Sequence, residues 1–243
     1  ESFAGGSGLA LSLLFKGLVN NIVLNDIDRS IYAFWYSVLN YTDELCNLIE
    51  STPVTIEEWY EQKILQENKE DMPILDLGFS TFFLNRTNRS GILSGGVMGG
   101  KNQDGSYKID CRFNKVDLIS RIRSISQKRN QIELYNMDAV DFIQNVISNA
   151  PNNSFIFLDP PYYKKGPGLY TNYYKHDDHK HLARIIQSSI RQPWIVTYDN
   201  VEPIKKFYDG YVQTEFDLTY SAQNKYVGKE IMIFSHQLVP IEL

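Results

Sequence analysis

The chain is poor in cysteine and has no long apolar run. Only Cys46 and Cys111 occur in 243 residues, too few for a disulfide framework, so a reducing compartment is expected. No apolar stretch approaches the roughly 18 residues that a spanning helix requires. Residues 1–5 also lack the basic region and apolar stretch of a signal peptide. The sequence therefore predicts a cytoplasmic protein without a membrane span, large enough for one domain or a domain with an insert.

Positive charge is scarce overall but concentrated in one segment. The net charge of -5 taken alone argues against a nucleic-acid partner, because neutralising phosphates requires Lys and Arg. Residues 85–130, however, contain ten bases against three acids, which leaves the rest of the chain at -12. Such a segment is either a solvated surface or a DNA-binding one, and charge alone leaves both interpretations open.

Apolar strands and helices alternate along the chain, which predicts an α/β fold. A glycine-rich turn over residues 3–8 precedes an apolar helix over 9–15 and a buried strand over 21–26. This is a βαβ opening whose first strand would lie upstream, so we expect the sequence to be trimmed at its N-terminus. Further predicted elements are helices over 29–41, 116–126, 140–148 and 179–190, an acidic helical stretch over 43–71 broken at Pro53, strands over 132–135, 154–159 and 194–198, and two strands near 211–218 and 230–236 that form an antiparallel addition at the sheet edge.

The glycine-rich turn Phe3–Gly8 is suited to close approach of a ligand, because glycine removes Cβ atoms and permits positive φ. Asp26 follows roughly 20 residues later, at the end of the second strand, where a carboxylate can take both hydroxyls of a ribose. Asp138 follows the strand over 132–135 and could accept hydrogen bonds from an adenine amino group, with Phe142 near the same ring. It could equally be the N-cap of the next helix, and the turn could be an ordinary tight loop.

Asp159-Pro160-Pro161-Tyr162 is the most specific pattern in the chain, because two prolines fix a turn directly after an apolar strand. The residue types of this turn suit methyl transfer to the exocyclic nitrogen of adenine. That nitrogen is a poor nucleophile, so an enzyme that methylates it gains by accepting hydrogen bonds from both amino hydrogens. The Asp159 carboxylate and the Pro160 carbonyl can supply these acceptors for in-line methyl transfer, and Tyr162 can stack on a base that has left the duplex. A rigid structural turn is the alternative.

The glycine turn, the segment Phe82-Phe83-Leu84-Asn85-Arg86-Thr87 and the Asp-Pro-Pro-Tyr turn resemble the Dam-type, or D12 class, DNA adenine-N6 methyltransferases of the α group. The resemblance implies a Rossmann-like class I methyltransferase sheet with an antiparallel C-terminal edge strand and a small inserted target-recognition domain. It divides the chain into a first catalytic part (1–78), the insert (79–130) and a second catalytic part (131–243). It also implies site-specific methylation of adenine N6 in double-stranded DNA by base flipping, with S-adenosyl-L-methionine as cofactor, no metal, and a possible partner restriction endonuclease.

The residues that the resemblance assigns fall into three groups. The catalytic group is Asp159, Pro160 and Tyr162. The cofactor-binding group is Phe3, Ala4, Gly5, Gly6, Ser7, Gly8, Asp26, Ile27, Asp138, Ala139 and Asp159. The DNA-binding group is Asn85, Arg86, Asn88, Arg89, Arg112 and Lys115. The sequence departs from the family's pattern in two places. It begins after the basic motif that the family has upstream of the glycine turn. Thr87-Asn88-Arg89 also stands where family members that read a four-base site have Tyr-Asn-Gly, so no target sequence is assigned.

The loop over residues 162–178 is rich in tyrosine and lysine, a mixture suited to a mobile lid beside a nucleic acid or to an ordinary surface loop. The tyrosines and lysines meant here are Tyr163, Tyr170, Tyr173, Tyr174, Lys164, Lys165 and Lys175. His176, His179 and His181 invite a metal site, which we reject because methyl transfer from a sulfonium needs no metal. Related tetrapeptides also serve RNA and cytosine-N4 methyltransferases, and a catalytically silent nucleic-acid-binding subunit is a further alternative.

Overall fold

The computed structural model describes residues 1–164, 174–220 and 226–238 of the chain. Within these ranges the helices are α1 Gly8–Phe15, α2 Arg29–Asn40, α3 Thr42–Ser51, α4 Ile56–Glu67, α5 Ile74–Thr87, α6 Lys115–Ser126, α7 Ala139–Asn145, α8 His176–Ser189 and α9 Glu202–Phe207. The strands are β1 Ile22–Asn25, β2 Ile132–Tyr135, β3 Ile156–Leu158, β4 Trp194–Asp199, β5 Val212–Tyr220 and β6 Tyr226–Phe234. Strands β1 and β2 form a two-stranded sheet, and the other four strands form a second sheet. The chain thus has a mixed α/β fold.

The chain divides into two compact units. The first unit contains Glu1–Ser7, Leu24–Ile27 and Met137–Leu243, and the second contains Gly8–Val23 and Asp28–Asn136. Among the residues that the structure describes, no helix has the length and apolarity needed to cross a membrane.

The four-stranded sheet of the first unit has the order β3-β4-β6-β5. Strand β3 runs parallel to β4, whereas β6 pairs antiparallel with both β4 and β5. Apolar side chains on these strands are fully buried, among them Leu158, Val196 and Ile233. Helix α8 packs against α7 and α9. The sheet therefore presents the end of β3, and the Asp-Pro-Pro-Tyr turn that follows it, beside the end of β4.

Two helices of the first unit depart from the prediction, one in where it begins and one because it was not expected. Helix α8 begins at His176 rather than at residue 179, because the Asp178 carboxylate accepts a hydrogen bond from the Lys175 backbone N–H at 2.8 Å and caps the first turn. Helix α9, only six residues long, was not predicted. Its Pro203 lies in the first turn, where a missing N–H costs nothing.

The second unit is mostly helical, and α5 is its most deeply buried helix. Nine of its fourteen residues are buried. A Cβ added at Gly78 would collide with Ser37 Oγ and would lie 2.6 Å from the Ala33 carbonyl oxygen on α2, so only glycine allows this close approach of the two helices. Residue 79, the predicted first residue of the insert, lies inside this continuous helix, and the extent of the insert stays a prediction.

Candidate methyltransferase site

The glycine-rich turn is tied to the end of β1 within the first unit. Ala4 donates its backbone N–H to the Asn25 carbonyl at 2.8 Å, and Asn25 donates to the Glu1 carbonyl at 2.9 Å. Gly5 (φ +45°) donates its N–H to Asp26 Oδ2 at 2.9 Å, and Ser7 also has a positive φ. The turn and the carboxylate that the sequence singles out therefore lie in direct contact.

Asn25 joins three segments of the same unit, a role that the sequence prediction missed. Its side chain is fully buried. The amide nitrogen donates to the carbonyls of Ser2 at 3.1 Å and Met137 at 3.0 Å, and Oδ1 accepts from the Met137 N–H at 2.9 Å. The glycine turn, the end of β1 and the residue before Asp138 are held together by this one amide. The sequence did offer one signal for this role, because Asn25 is a polar residue at the end of an otherwise apolar strand.

Asp138 is the N-cap of helix α7, which was one of the two roles that the sequence predicted for it. Its Oδ1 accepts hydrogen bonds from the backbone N–H groups of Val140 at 2.8 Å and Asp141 at 3.4 Å. Both bonds use the same oxygen, so the cap does not by itself exclude a contact between Oδ2 and a ligand. Of the neighbouring residues in the predicted cofactor group, Ala139 is buried and Ile27 is 45% exposed.

Tyr174 is a further aromatic residue beside these carboxylates. Its ring lies edge-on to that of Phe3, with 6.3 Å between centroids. Burial is the main reason why the pKa of Tyr174 is raised, and the charges of Asp138, Asp178 and Asp26 raise it further. Tyr174 was predicted only as part of a loop, whereas the structure places it near two of the predicted cofactor ligands.

Asp159 follows β3 and is held by a strand neighbour. The Thr197 hydroxyl on β4 donates to Asp159 Oδ1 at 2.6 Å. The pKa of Asp159 is raised to about 6, chiefly by burial; the charges of Glu230 and Glu1 add to this rise, while the Thr197 hydrogen bond opposes it. The carboxylate is therefore ionised at neutral pH and unusually easy to protonate in mild acid.

The rest of the Asp-Pro-Pro-Tyr turn is also held in place. Pro160 and Pro161 are buried. The Tyr162 hydroxyl donates to Glu230 Oε1 at 2.7 Å. Immediately after the turn, the N–H groups of Tyr163 and Lys164 donate to the two carboxylate oxygens of Asp199, each at 2.8 Å.

His179, considered above as a metal ligand, lies in an aromatic cluster. The side chain is 1% exposed, and a hydrogen bond of 3.1 Å joins its Nδ1 to the Tyr198 hydroxyl. The rings of Tyr163 and Tyr174 lie beside it. Burial lowers the pKa of His179 to about 4, so the ring is neutral at pH 7. The described residues include no group of three or more His, Cys, Asp or Glu that could hold a metal. Tyr170, Tyr173 and Lys165 lie outside the described residues.

The predicted DNA-binding residues, all in the second unit, differ in exposure. Asn85 and Arg89 are exposed. Asn88 is fully buried: its Oδ1 accepts from Trp59 Nε1 at 2.6 Å, and its amide nitrogen donates to the carbonyls of Ile92 and Leu93. Asn88 therefore shapes the loop after α5 rather than presenting its side chain to solvent.

The remaining three bases of this group are partly buried. Arg112 donates from Nη2 to the carbonyls of Asn85 and Asn88, at the end of α5. Lys115 Nζ donates to the carbonyls of Glu50 at 2.7 Å and Thr52 at 2.8 Å, where it caps α3. The pKa of Arg86 is lowered by burial and by the nearby charges of Arg112 and Arg121. These positive charges lie close enough to repel one another, an arrangement that an anion would relieve.

These features define an α/β enzyme class in which a glycine turn, two strand-end carboxylates and an Asp-Pro-Pro-Tyr turn lie within one compact unit. The chain belongs to the D12 class of N6 adenine-specific DNA methyltransferases, whose family model matches residues 1–223. It is also similar to the type II methyltransferase M.CviBI of Paramecium bursaria Chlorella virus NC1A. The two are 24% identical over 247 residues, which cover 95% of this chain and 85% of the relative. The chain is thus an adenine-specific DNA methyltransferase.

Proposed function

We propose that this chain binds S-adenosylmethionine along the glycine turn and methylates N6 of an adenine flipped out of a specific duplex site. The observation that carries the proposal is Asp159, a carboxylate held by Thr197 at the end of β3 in the same unit as the glycine turn, Asp26 and Asp138. In open α/β sheets, ligands bind at the carboxyl ends of the strands. Each of the three carboxylates follows a strand: Asp26 follows β1, Asp138 follows β2 and Asp159 follows β3.

The open space beside the glycine turn supports the proposed cofactor site. A Cβ added at Gly5 or Gly6 would meet no heavy atom within 4 Å, so a ligand can approach this backbone closely. Asp26 accepts hydrogen bonds from the ribose hydroxyls in this proposal, and Asp138 uses Oδ2 for the adenine amino group. Phe3, Ala4, Ser7 and Gly8 complete the turn, with Ile27 and Ala139 offering apolar contact to the adenine ring.

The Asp-Pro-Pro-Tyr turn supplies the chemistry on the target base. S-adenosylmethionine provides a methyl group on a positively charged sulfur. The Asp159 carboxylate and the Pro160 carbonyl accept hydrogen bonds from the two amino hydrogens, which favours the positive charge that develops on the nitrogen. Tyr162 stacks on the flipped base. Because the protonated carboxyl loses much of its strength as an acceptor, Asp159 works in its ionised form.

The basic segment of the second unit is the proposed DNA surface. Its exposed Arg89 and Asn85 are the side chains best placed to reach a duplex, with Arg86 near a cluster of positive charge. Arg112 and Lys115 also bind backbone carbonyls, so we expect them to support this surface as much as to contact phosphates. Asn88, being buried, would act by shaping the loop that carries Arg89.

Family membership supports the finer architecture that the sequence predicts. We propose a Rossmann-like class I methyltransferase sheet, to which the parallel β3-β4 pair and the antiparallel β6 belong, with residues 79–130 as a target-recognition insert. The name of the viral relative, a type II methyltransferase, supports a role beside a restriction endonuclease that reads the same site. Digestion of methylated and unmethylated genomic DNA with extracts of the source organism would test that partnership.

The experiment that tests the proposal is single-molecule sequencing of DNA from cells that express the protein, Asp159→Ala, or the exposed control Asp209→Ala. We expect one sharp motif carrying N6-methyladenine with the wild type and the control, and none with Asp159→Ala. Methylation that persists in Asp159→Ala would contradict the assigned role. Absence of modified adenine in all three, with folded protein present, would instead favour an RNA substrate, cytosine N4 or a silent binding subunit.

A further inference from the structure

Two buried carboxylates lie directly opposite each other on neighbouring strands. Asp199 on β4 is the register partner of Glu230 on antiparallel β6, and their side chains are 5% and 4% exposed. Side chains two residues apart on a strand share a face, so Thr197 points to the same side as Asp199. Like charges directly opposite on a sheet are destabilising, and burial increases the cost. The arrangement therefore needs a reason other than the stability of the sheet.

Two of the three side chains hold the Asp-Pro-Pro-Tyr turn, and the third holds the two residues that follow it. The Thr197 hydroxyl donates a hydrogen bond to Asp159 Oδ1, and Glu230 accepts a hydrogen bond from the Tyr162 hydroxyl. Asp199 accepts the next two backbone N–H groups along the chain, those of residues 163 and 164. We call Thr197, Asp199 and Glu230 the turn clamp.

We propose that the turn clamp positions the reacting parts of the site, and that Glu230 is the positioning residue for Tyr162. The hydrogen bond of 2.7 Å to Glu230 fixes the far end of the Tyr162 ring, and because a phenolic O–H prefers to lie in the plane of its ring, the acceptor also restrains that plane. A stacking surface serves catalysis best when its position and plane are held in this way. The role assigned to Tyr162 rests on the function proposed above. The hydrogen bonds of the turn clamp do not depend on it.

Two members of the turn clamp, Glu230 and Thr197, also act on the pKa of Asp159, and they act in opposite directions. The negative charge of Glu230 disfavours a second charge on Asp159, whereas the Thr197 hydroxyl stabilises the carboxylate. Glu1 is the other charged group that raises the pKa of Asp159, and burial is the largest cause. Removing the charge of Glu230 should therefore lower the pKa of Asp159, and removing the hydroxyl of Thr197 should raise it.

The first test follows the carboxyl carbon of Asp159 by NMR as a function of pH in the wild-type protein, Glu230→Gln and Thr197→Val. We expect the midpoint to fall by about half a unit to one unit in Glu230→Gln and to rise by a similar amount in Thr197→Val. The matched control is Glu202→Gln, which removes an exposed carboxylate from the same unit and should leave the midpoint unchanged. Equal midpoints in all four proteins would overturn the turn clamp, and so would shifts of the same sign in Glu230→Gln and Thr197→Val.

The second test measures methyl transfer. Glu230→Leu removes the acceptor for Tyr162, so we expect kcat to fall about tenfold with KM for DNA little changed. Glu230→Gln keeps an acceptor oxygen and should recover most of that loss. Tyr162→Phe introduced into Glu230→Leu should cost nothing further, because the hydroxyl has already lost its partner.

The outcomes of this second test separate the two proposals. The positioning role would be overturned if the double variant had a lower kcat than Glu230→Leu alone. It would also be overturned if Glu230→Gln were as slow as Glu230→Leu. If the wild type transfers no methyl group to adenine, the proposed function fails, while the NMR titration still decides whether the turn clamp exists.

Discussion

Replacing Asp159 with asparagine should stabilise the folded protein while abolishing methyl transfer. The side-chain amide of this variant would keep an oxygen to accept the Thr197 hydrogen bond but carry no charge into a largely desolvated site. The pKa of Asp159 rises from 3.8 to about 6 on folding. A difference of about two pKa units corresponds to roughly 3 kcal/mol at pH 7, since each unit is worth about 1.36 kcal/mol.

The sign and pH range of this effect follow from linkage. A carboxyl whose pKa is raised in the folded state binds its proton more tightly there, so ionisation of Asp159 destabilises the fold. We therefore expect the gain in unfolding free energy of Asp159→Asn over the wild type to be fully present above about pH 6. It should shrink as the pH falls from 6 to 4, because wild-type Asp159 becomes protonated in both states.

Urea unfolding at pH 7 and at pH 4.5 measures this difference through tryptophan fluorescence, to which Trp194 contributes in the first unit. Asp209→Asn, an exposed site, is the control and should change the unfolding free energy by less than about 0.5 kcal/mol at either pH. If Asp159→Asn is less stable than the wild type at pH 7, or if its advantage grows on acidification, burial of a charged Asp159 is not what raises its pKa.

Three other predictions follow from the site and the basic segment. Turnover of the wild type should fall about tenfold per pH unit below pH 6, because only ionised Asp159 is a strong acceptor; a pH–rate profile that stays flat down to pH 5 would contradict this. Asn25→Leu should cost about 3 kcal/mol or more, because three backbone groups lose their buried partner, and thermal unfolding together with calorimetric titration of S-adenosylmethionine should show both stability and binding reduced. Arg89→Ala should weaken DNA binding and lower its salt dependence by about one phosphate contact, whereas Lys115→Ala should chiefly lower stability; filter binding across a salt series distinguishes the two, and equal salt slopes would refute the assignment.

Elements with a strong local pattern could be predicted from the sequence. The strand over 132–135 has the predicted bounds, and β1, β3 and β4 differ from prediction by a few residues at their ends. The apolar runs and the prolines after Leu158 are local signals, which explains why the Asp-Pro-Pro-Tyr turn was found. The contact between Gly5 and Asp26 was also within reach, since the predicted end of β1 was only one residue away from the observed end.

Residues whose role depends on strand register could not be predicted. Glu230 and Asp199 lie far from Tyr162 in the sequence, and only the antiparallel pairing of β4 with β6 brings the two carboxylates together. A count of positive charges likewise could not distinguish Arg89, which is exposed, from Lys115, whose ammonium group caps a helix. Asp138 shows a further limit, because a helix cap and a ligand contact require the same residue type at the same place.

The hydrogen bonds of Asn25 also bear on when the site can form during synthesis. They link residues 112 positions apart in the sequence, so they close a long loop at an entropic cost that must be met by contacts made at the same time. A nascent chain that ends before Met137 cannot make them, however well its glycine turn is formed. If the proposed cofactor site is correct, competence to bind S-adenosylmethionine is therefore a late event in folding. Capture on an immobilised cofactor analogue would separate full-length translation products from prematurely terminated ones.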